Sequence, residues 1–464
     1  MKTVAKRIVF AVILALAAGL AYGAFLPSPE KLTLKNGITV YYLKSTDLPL
    51  ISFRMWIKGA GYVDEPAEFE GMASLTSTLL LKGTTSRNAD AIAEALDFMG
   101  ARFSVSAGDE YAGINGESLA EHFPKLLEIA ADCLRNPSFK EDEFVKERKT
   151  RIDSLKAVKD NPGAAIRYYF QKAYFGSHPM GHLSSGTETS LNKLSVAEVK
   201  GYYQKFFRPE RSIAAVVGDI DKAKLLELLN STIGAWNASG AAAPLAPVPA
   251  LPKPKGAKLL LIDKPDATQA YWVLGAPGYA VGDAMTPQAT VLNTLFGGRF
   301  TSWLSTELRI KRGLTYGASS SFQTWTAGGL FNASSYTRNE KIGEMLDITF
   351  GLLKKVRQDG FTPEEIESAR NYIQGQFPPT LEANASKATA YARLAFYNLG
   401  FDYYDKYLAA IQNVSQATAK DAAGKLIPET DFVLVVVGKA ADIKQQLEKF
   451  GTWTERKITD PDFQ

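Results

Sequence analysis

Short apolar runs at Ile38–Leu43 and Ile51–Ile57 read as strands. Glu70–Leu81 reads as a helix. Ala101–Val105 and Gly113–Glu117 return to strand length. Across Ser118–Asn136 and Lys140–Lys156 the apolar residues recur at three and four, which predicts two helices. Ser212–Val217 is a further β run, closed by Gly218. Strands are thus grouped and helices follow them. That order predicts α+β layers with helices on one face, not a doubly wound parallel sheet.

The pattern then repeats. Gly59-Ala60-Gly61-Tyr62 follows the Ile51–Ile57 run, and Gly275-Ala276-Pro277-Gly278-Tyr279 follows a run from Ala270 to Leu274; Tyr62 and Tyr279 are 217 residues apart. Pro137-Ser138-Phe139 opens one charged helix, and Gly360-Phe361-Thr362-Pro363 opens another over Glu364–Gln376, with Phe139 and Phe361 222 apart. Gly218 and Gly438, which closes Asp431–Val437, are 220 apart. Near-constant spacing across three landmarks indicates a tandem duplication. Between the copies, Ala238–Gly256 carries five prolines and reads as a stiff, extended linker. The expected organisation is α+β: two tandem homologous α/β domains, 24–237 and 257–464, joined by a Pro/Ala-rich linker at 238–256.

Residues 1–23 read differently. Lys2, Lys6 and Arg7 precede an unbroken apolar run from Ile8 to Leu20, and Ala21-Tyr22-Gly23 supplies small residues around a large one. This is the layout of a signal peptide, too short for a comfortable membrane span. It predicts an exported, periplasmic chain with no membrane attachment after cleavage. The whole sequence has 53 Lys+Arg against 49 Asp+Glu, a net charge of +4. Three of those positive charges belong to the signal, so no basic excess remains for a nucleic-acid partner. The one cysteine, Cys133, excludes an intrachain disulfide and reads as a buried core residue.

The candidate chemistry is sparse. No glycine-rich phosphate loop follows a strand. His178 and His182 stand in His-Pro-Met-Gly-His, but Pro179 and Gly181 make this a loop, with no acid or cysteine to complete a zinc set. A lone hydrolase built on these two histidines is a minor alternative.

The informative stretch is Gly71-Met72-Ala73-Ser74-Leu75-Thr76-Ser77-Thr78-Leu79-Leu80-Leu81-Lys82-Gly83-Thr84. It resembles the insulinase/pitrilysin family of zinc metallopeptidases, especially the short paired-subunit branch that includes mitochondrial processing peptidase. Active members carry Gly-x-x-His-x-x-Glu-His-x-x-x-Lys-Gly-Thr here, with two histidine ligands and a glutamate base on one helical face. The frame Gly71, Lys82, Gly83, Thr84 is kept, while the three chemical positions are Ser74, Ser77 and Thr78. The family's third ligand follows a Glu-Arg pair. Glu147-Arg148 matches that pair, and the ligand position falls on Ser154, beside Asp153. Neutral hydroxyls are poor zinc ligands, so no metal and no cofactor are expected in this chain.

In the second half, Gly297-Gly298-Arg299-Phe300 leads into Thr301–Arg309 and then Ile310-Lys311-Arg312-Gly313-Leu314-Thr315-Tyr316-Gly317. This stretch is similar to the family's Glu-Leu-Arg…Gly-Leu-x-Tyr signature. There, an Arg/Tyr pair holds the substrate backbone and stabilises the oxyanion; by match the pair is Arg309 and Tyr316. The resemblance implies a processing-peptidase-type fold and a non-catalytic subunit of a heterodimer. A zinc-binding paralogous partner would hold the metal, this chain would supply Arg309 and Tyr316 in trans, and the chamber between them would take unfolded peptide. Gly297-Gly298 would form a lip at its entrance. The rival reading is a non-enzymatic scaffold or assembly protein of the same fold.

Overall fold

The structure, a computed structural model, describes residues 24–463 apart from Ser239. The export segment read over residues 1–23 therefore lies outside the described residues.

Six strands form the first sheet: β1 (Glu30–Thr33), β2 (Thr39–Lys44), β3 (Leu50–Lys58), β4 (Arg102–Ala107), β5 (Tyr111–Leu119) and β6 (Ser212–Gly218). Their order is β1-β2-β6-β3-β5-β4. β2 and β6 run parallel; the other pairs are antiparallel. The second sheet holds β7 (Ala257–Asp263), β8 (Gln269–Pro277), β9 (Ala318–Trp325), β10 (Gly328–Arg338), β11 (Phe432–Gly438) and β12 (Trp453–Lys457), in the order β12-β7-β11-β8-β10-β9.

The duplication is visible strand by strand. β2, β6, β3, β5 and β4 correspond to β7, β11, β8, β10 and β9, with the same parallel pair in the same place. It breaks only at the outer edge. There β1 precedes and runs antiparallel to β2, whereas β12 comes from the end of the chain and runs parallel to β7.

Side-chain alternation explains the layers. On β3, Ile51, Phe53, Met55 and Ile57 are buried in the N-terminal core, beneath helices that include Met72–Leu79 and Phe123–Arg135. Trp56 points the other way, into a separate cluster with Ala388 and Tyr391. Those two residues lie on Asn384–Phe396, a helix of the second repeat, which packs on β3 and β6. The exchange is reciprocal: Pro162–Phe175, a helix of the first repeat, packs on β8 and β11. β11 is accordingly buried on both faces and reads as an unbroken apolar run, Phe432 to Val437.

Gly275 marks how closely one exchanged helix approaches. A Cβ there would stand 2.7 Å from Phe170 Cε2 and closer still to Cζ. Further ties cross the seam. Tyr169 donates to the carbonyl of Ile458 at 3.0 Å, and Trp325 Nε1 donates to Asp109. Glu110 accepts from the Thr326 N–H at 3.1 Å and from the Tyr397 hydroxyl at 3.0 Å. Residues 241–255 form neither helix nor strand. They are nonetheless fastened down: Arg211 donates to the Ala243 carbonyl, and a Cβ on Gly59 would meet Leu245 Cδ1 at 2.7 Å.

Candidate functional site

The helix Met72–Leu79 begins at Gly71, whose φ of 89° suits glycine. No side chain of the preceding residue caps it. Instead Glu65 reaches in from the loop and accepts from the N–H groups of Gly71 and Ala73, both at 2.9 Å. The Glu65 side chain is fully buried, and that burial pushes its carboxyl well above the usual range despite the two N–H donors. His182 stands beside it, with Nδ1 4.0 Å from Glu65 Oε1 and 3.3 Å from the Tyr62 carbonyl. Burial holds the imidazole below its ordinary pKa.

The hydroxyl residues at the three motif positions of this helix do not act together. Ser77 is buried, and its hydroxyl donates back to the Ala73 carbonyl at 2.9 Å. Ser74 and Thr78 instead share a partner, the guanidinium of Arg151 on the helix Glu141–Val158. Arg151 Nη1 donates to Ser74 Oγ at 3.0 Å; Nη2 donates to the Ser74 carbonyl at 3.1 Å and to Thr78 Oγ1 at 2.7 Å. Burial lowers the Arg151 pKa, while Glu147 and Glu65 favour its charge. Glu147, one turn earlier on the same face, bridges Lys82 at 2.7 Å.

Ser154 sits three residues past Arg151, exposed, with its hydroxyl donating to the Thr150 carbonyl at 2.8 Å. Asp153 is also exposed and pairs with Lys149 at 2.7 Å. The structure therefore joins Ser74 and Thr78 through Arg151 and leaves Ser77 and Ser154 apart from them. Arg151 and Glu65 escaped the sequence reading, which searched the later helix for a carboxylate. The available signal was a basic residue one turn before the third-ligand position.

These residues do not fit a zinc ion. Zinc sites are built from imidazole, thiolate and carboxylate; here two neutral hydroxyls face a cation. Among the described residues no group of three or more His, Cys, Asp or Glu could hold a metal. His178 and His182 do not converge. His178 Nδ1 accepts from the Met180 N–H at 3.1 Å, and its Nε2 lies 3.0 Å from the Pro249 carbonyl.

Arg309 lies on Ser305–Lys311, a π-helical segment, a widened turn found often at functional positions. Its guanidinium carbon is 4.7 Å from the centre of the Phe300 ring. Tyr316 is 80% exposed, although the chain on either side of it is pinned. Thr337 donates to the Leu314 carbonyl at 2.7 Å, and Ser335 to the Gly317 carbonyl at 2.8 Å. The backbone is thus anchored to β10 while the phenol is presented outward. Gly297 is not a free lip. It is buried, and a Cβ there would meet Ser320 Cβ at 2.8 Å, so glycine serves a close approach to β9. Among the described residues, no hydrogen bond, ion pair or ring contact joins Arg309 or Tyr316 to Ser74, Thr78 or Arg151.

Two family models match the chain: "Insulinase (Peptidase family M16)" over residues 40–188 and "Peptidase M16 inactive domain" over residues 193–373. The chain belongs to the M16, or insulinase-like, peptidase family, as tandem domains of its fold. Among curated relatives, it is 24% identical over 414 residues to the uncharacterized zinc protease YmxG of Bacillus subtilis, covering 89% of this chain and 99% of that protein. It is 26% identical over 394 residues to an uncharacterized zinc protease of Mycobacterium tuberculosis, covering 85% and 89%. Among solved structures, an M16 inactive domain from Pseudomonas fluorescens superimposes with a TM-score of 0.82 at 24% identity, over 89% of this chain and 98% of that one. A protease from Helicobacter pylori gives 0.83 at 22%, over 89% and 100%. These two structures share the fold.

Proposed function

We propose that the chain is a metal-free M16 subunit that acts with a zinc-binding paralogue as a heterodimeric peptidase. The observation that carries this reading is Arg151, whose guanidinium bonds to Ser74 and Thr78, where active members hold histidines. With Ser77 in the general-base position turned back to its own helix, this half has neither metal nor base. The other half keeps Arg309 on its π-helical segment and Tyr316 displayed on an anchored loop. In this reading they bind the backbone of an unfolded peptide and stabilise the developing oxyanion at the partner's zinc. Zinc belongs to the partner, and this chain carries no cofactor. In this reading the export-type residues 1–23 would direct the chain to a periplasmic space. No helix among the described residues is long and apolar enough to cross a membrane.

The test is peptide cleavage by the purified chain, alone and mixed with a paralogue from the same genome that carries His-x-x-Glu-His, with zinc measured in each. Activity that rises in the mixture well above that of the paralogue alone, with zinc confined to the paralogue, is the expected result. A stable complex whose activity this chain does not raise would turn the reading toward a scaffold.

A further inference from the structure

The space between positions 74 and 78 and the neighbouring helix is filled. Arg151 reaches it from the neighbouring helix and bonds to both of the positions that flank it, through three contacts of 2.7–3.1 Å. An ion held by side chains at positions 74 and 78 would lie ~2 Å from their ligating atoms. The guanidinium stands directly in front of the Ser74 and Thr78 side chains, in the path that longer ligands at these positions would take toward such an ion. The charge is also of the wrong sign for a second cation, and arginine does not shed its proton in proteins. The guanidinium is anchored rather than loosely swung in. It is largely buried, Glu147 on the same helix fixes Lys82 alongside, and the Glu65 carboxyl lies beneath the start of the helix that carries Ser74 and Thr78.

We infer that Arg151 is a resident cation that shuts this position to divalent metal, so that the site is closed by charge and volume and not only by the loss of its ligands. The inference deepens the metal-free reading of this subunit. It makes no use of a partner, so it can fail or survive independently of the heterodimer. Its consequence is specific: putting back the family's ligands is insufficient while Arg151 remains.

The experiment uses the full chain. One variant restores the four positions by Ser74→His, Ser77→Glu, Thr78→His and Ser154→Glu; a second adds Arg151→Ala. Zinc content is measured after exhaustive dialysis against a zinc buffer, and folding is checked by circular dichroism. The expected result is about one zinc per chain only when Arg151 is gone, a full set of one base and three ligands being sufficient for a catalytic-type site. Ser77 is buried, so the fourfold change could fail to fold. A gentler pair, Ser74→His with Thr78→His, touches only half-exposed positions of one helix face. Two histidines at i and i+4 bind zinc measurably, and calorimetric titration should show binding at least ~100-fold tighter once Arg151→Ala is added, because a like charge at hydrogen-bond range opposes the incoming ion. Equal zinc binding with Arg151 retained would overturn the inference. So would absence of zinc from the Arg151→Ala versions, which would put the obstacle in ligand geometry. Failure of the reconstituted pair to cleave peptide would leave these zinc measurements untouched.

Discussion

Replacing Gly275 with alanine isolates one close contact of the domain seam. Gly275 sits inside β8, paired with Val433 on one side and Asn332 on the other, where a glycine ordinarily weakens a strand. Its φ is not positive, so the backbone tolerates any residue and the effect of a methyl is purely steric. That methyl would lie 2.7 Å from Phe170 Cε2 and 3.3 Å from Leu330 Cδ1. Cζ would be nearer still, so ordinary contact demands that the ring withdraw by well over ~1 Å, and Phe170 is buried against Tyr174, with ring centroids 5.7 Å apart. Overpacking of this kind costs ~1–3 kcal/mol. Phe170→Leu alone should destabilise by about 1 kcal/mol through lost apolar contact. In the double variant the two losses should not add, since removing the ring tip makes room for the methyl; a coupling of ~1–2 kcal/mol is expected between touching residues. Urea unfolding of the four proteins followed by far-UV circular dichroism measures the cycle. Additive losses, or a Gly275→Ala variant within about 0.5 kcal/mol of the parent, would refute the steric account.

The remaining predictions concern the site and its surroundings. In the reconstituted pair, Arg309→Ala or Tyr316→Phe should lower kcat/KM ~100-fold or more, as loss of an oxyanion donor does; unchanged steady-state turnover would remove both residues from the mechanism. Ser74→Ala takes one acceptor from Arg151 and should cost about 1 kcal/mol in thermal unfolding, with turnover of the pair unaltered. Asp64 gives a pH test. Burial raises its pKa from 3.8 to about 6, with Arg211 and Lys205 opposing and Glu110 reinforcing the shift. The raised folded pKa means that the stability it contributes is full below the unfolded value and is lost as pH rises through 6. Asp64→Asn should therefore be the more stable protein above pH 6, by up to about 3 kcal/mol, with the difference gone near pH 4. A pH-independent difference in melting would contradict this.

Much of the architecture was legible because the duplication leaves landmarks that survive divergence. The run ending before Gly218 and the one ending before Gly438 proved to be β6 and β11, the central partners of corresponding sheets. Helix limits shifted by a few residues: Ser118–Asn136 is a helix only from Phe123, because β5 runs on to Leu119 before the turn. The helix exchange was not legible, since nothing in the periodicity of Pro162–Phe175 tells which sheet it covers. The ligand positions were found by their frame, but the occupant was not. Arg151 looks in sequence like one more charge on the helix Glu141–Val158, and only the crossing of two helices brings it to Ser74 and Thr78.

The exchanged helices also bear on how the chain reaches its native state. Pro162–Phe175 is synthesised early, yet its partner strand β11 begins at Phe432, 257 residues after Phe175. During synthesis the first repeat therefore emerges with an apolar helix face that nothing yet covers and a sheet face still awaiting Asn384–Phe396. Neither half is a finished folding unit, and closure waits for nearly the last strand. Such long-range pairing slows folding and prolongs the exposure of apolar surface. In the exported chain proposed above, the same delay would be of use, because translocation requires that the final contacts not yet exist.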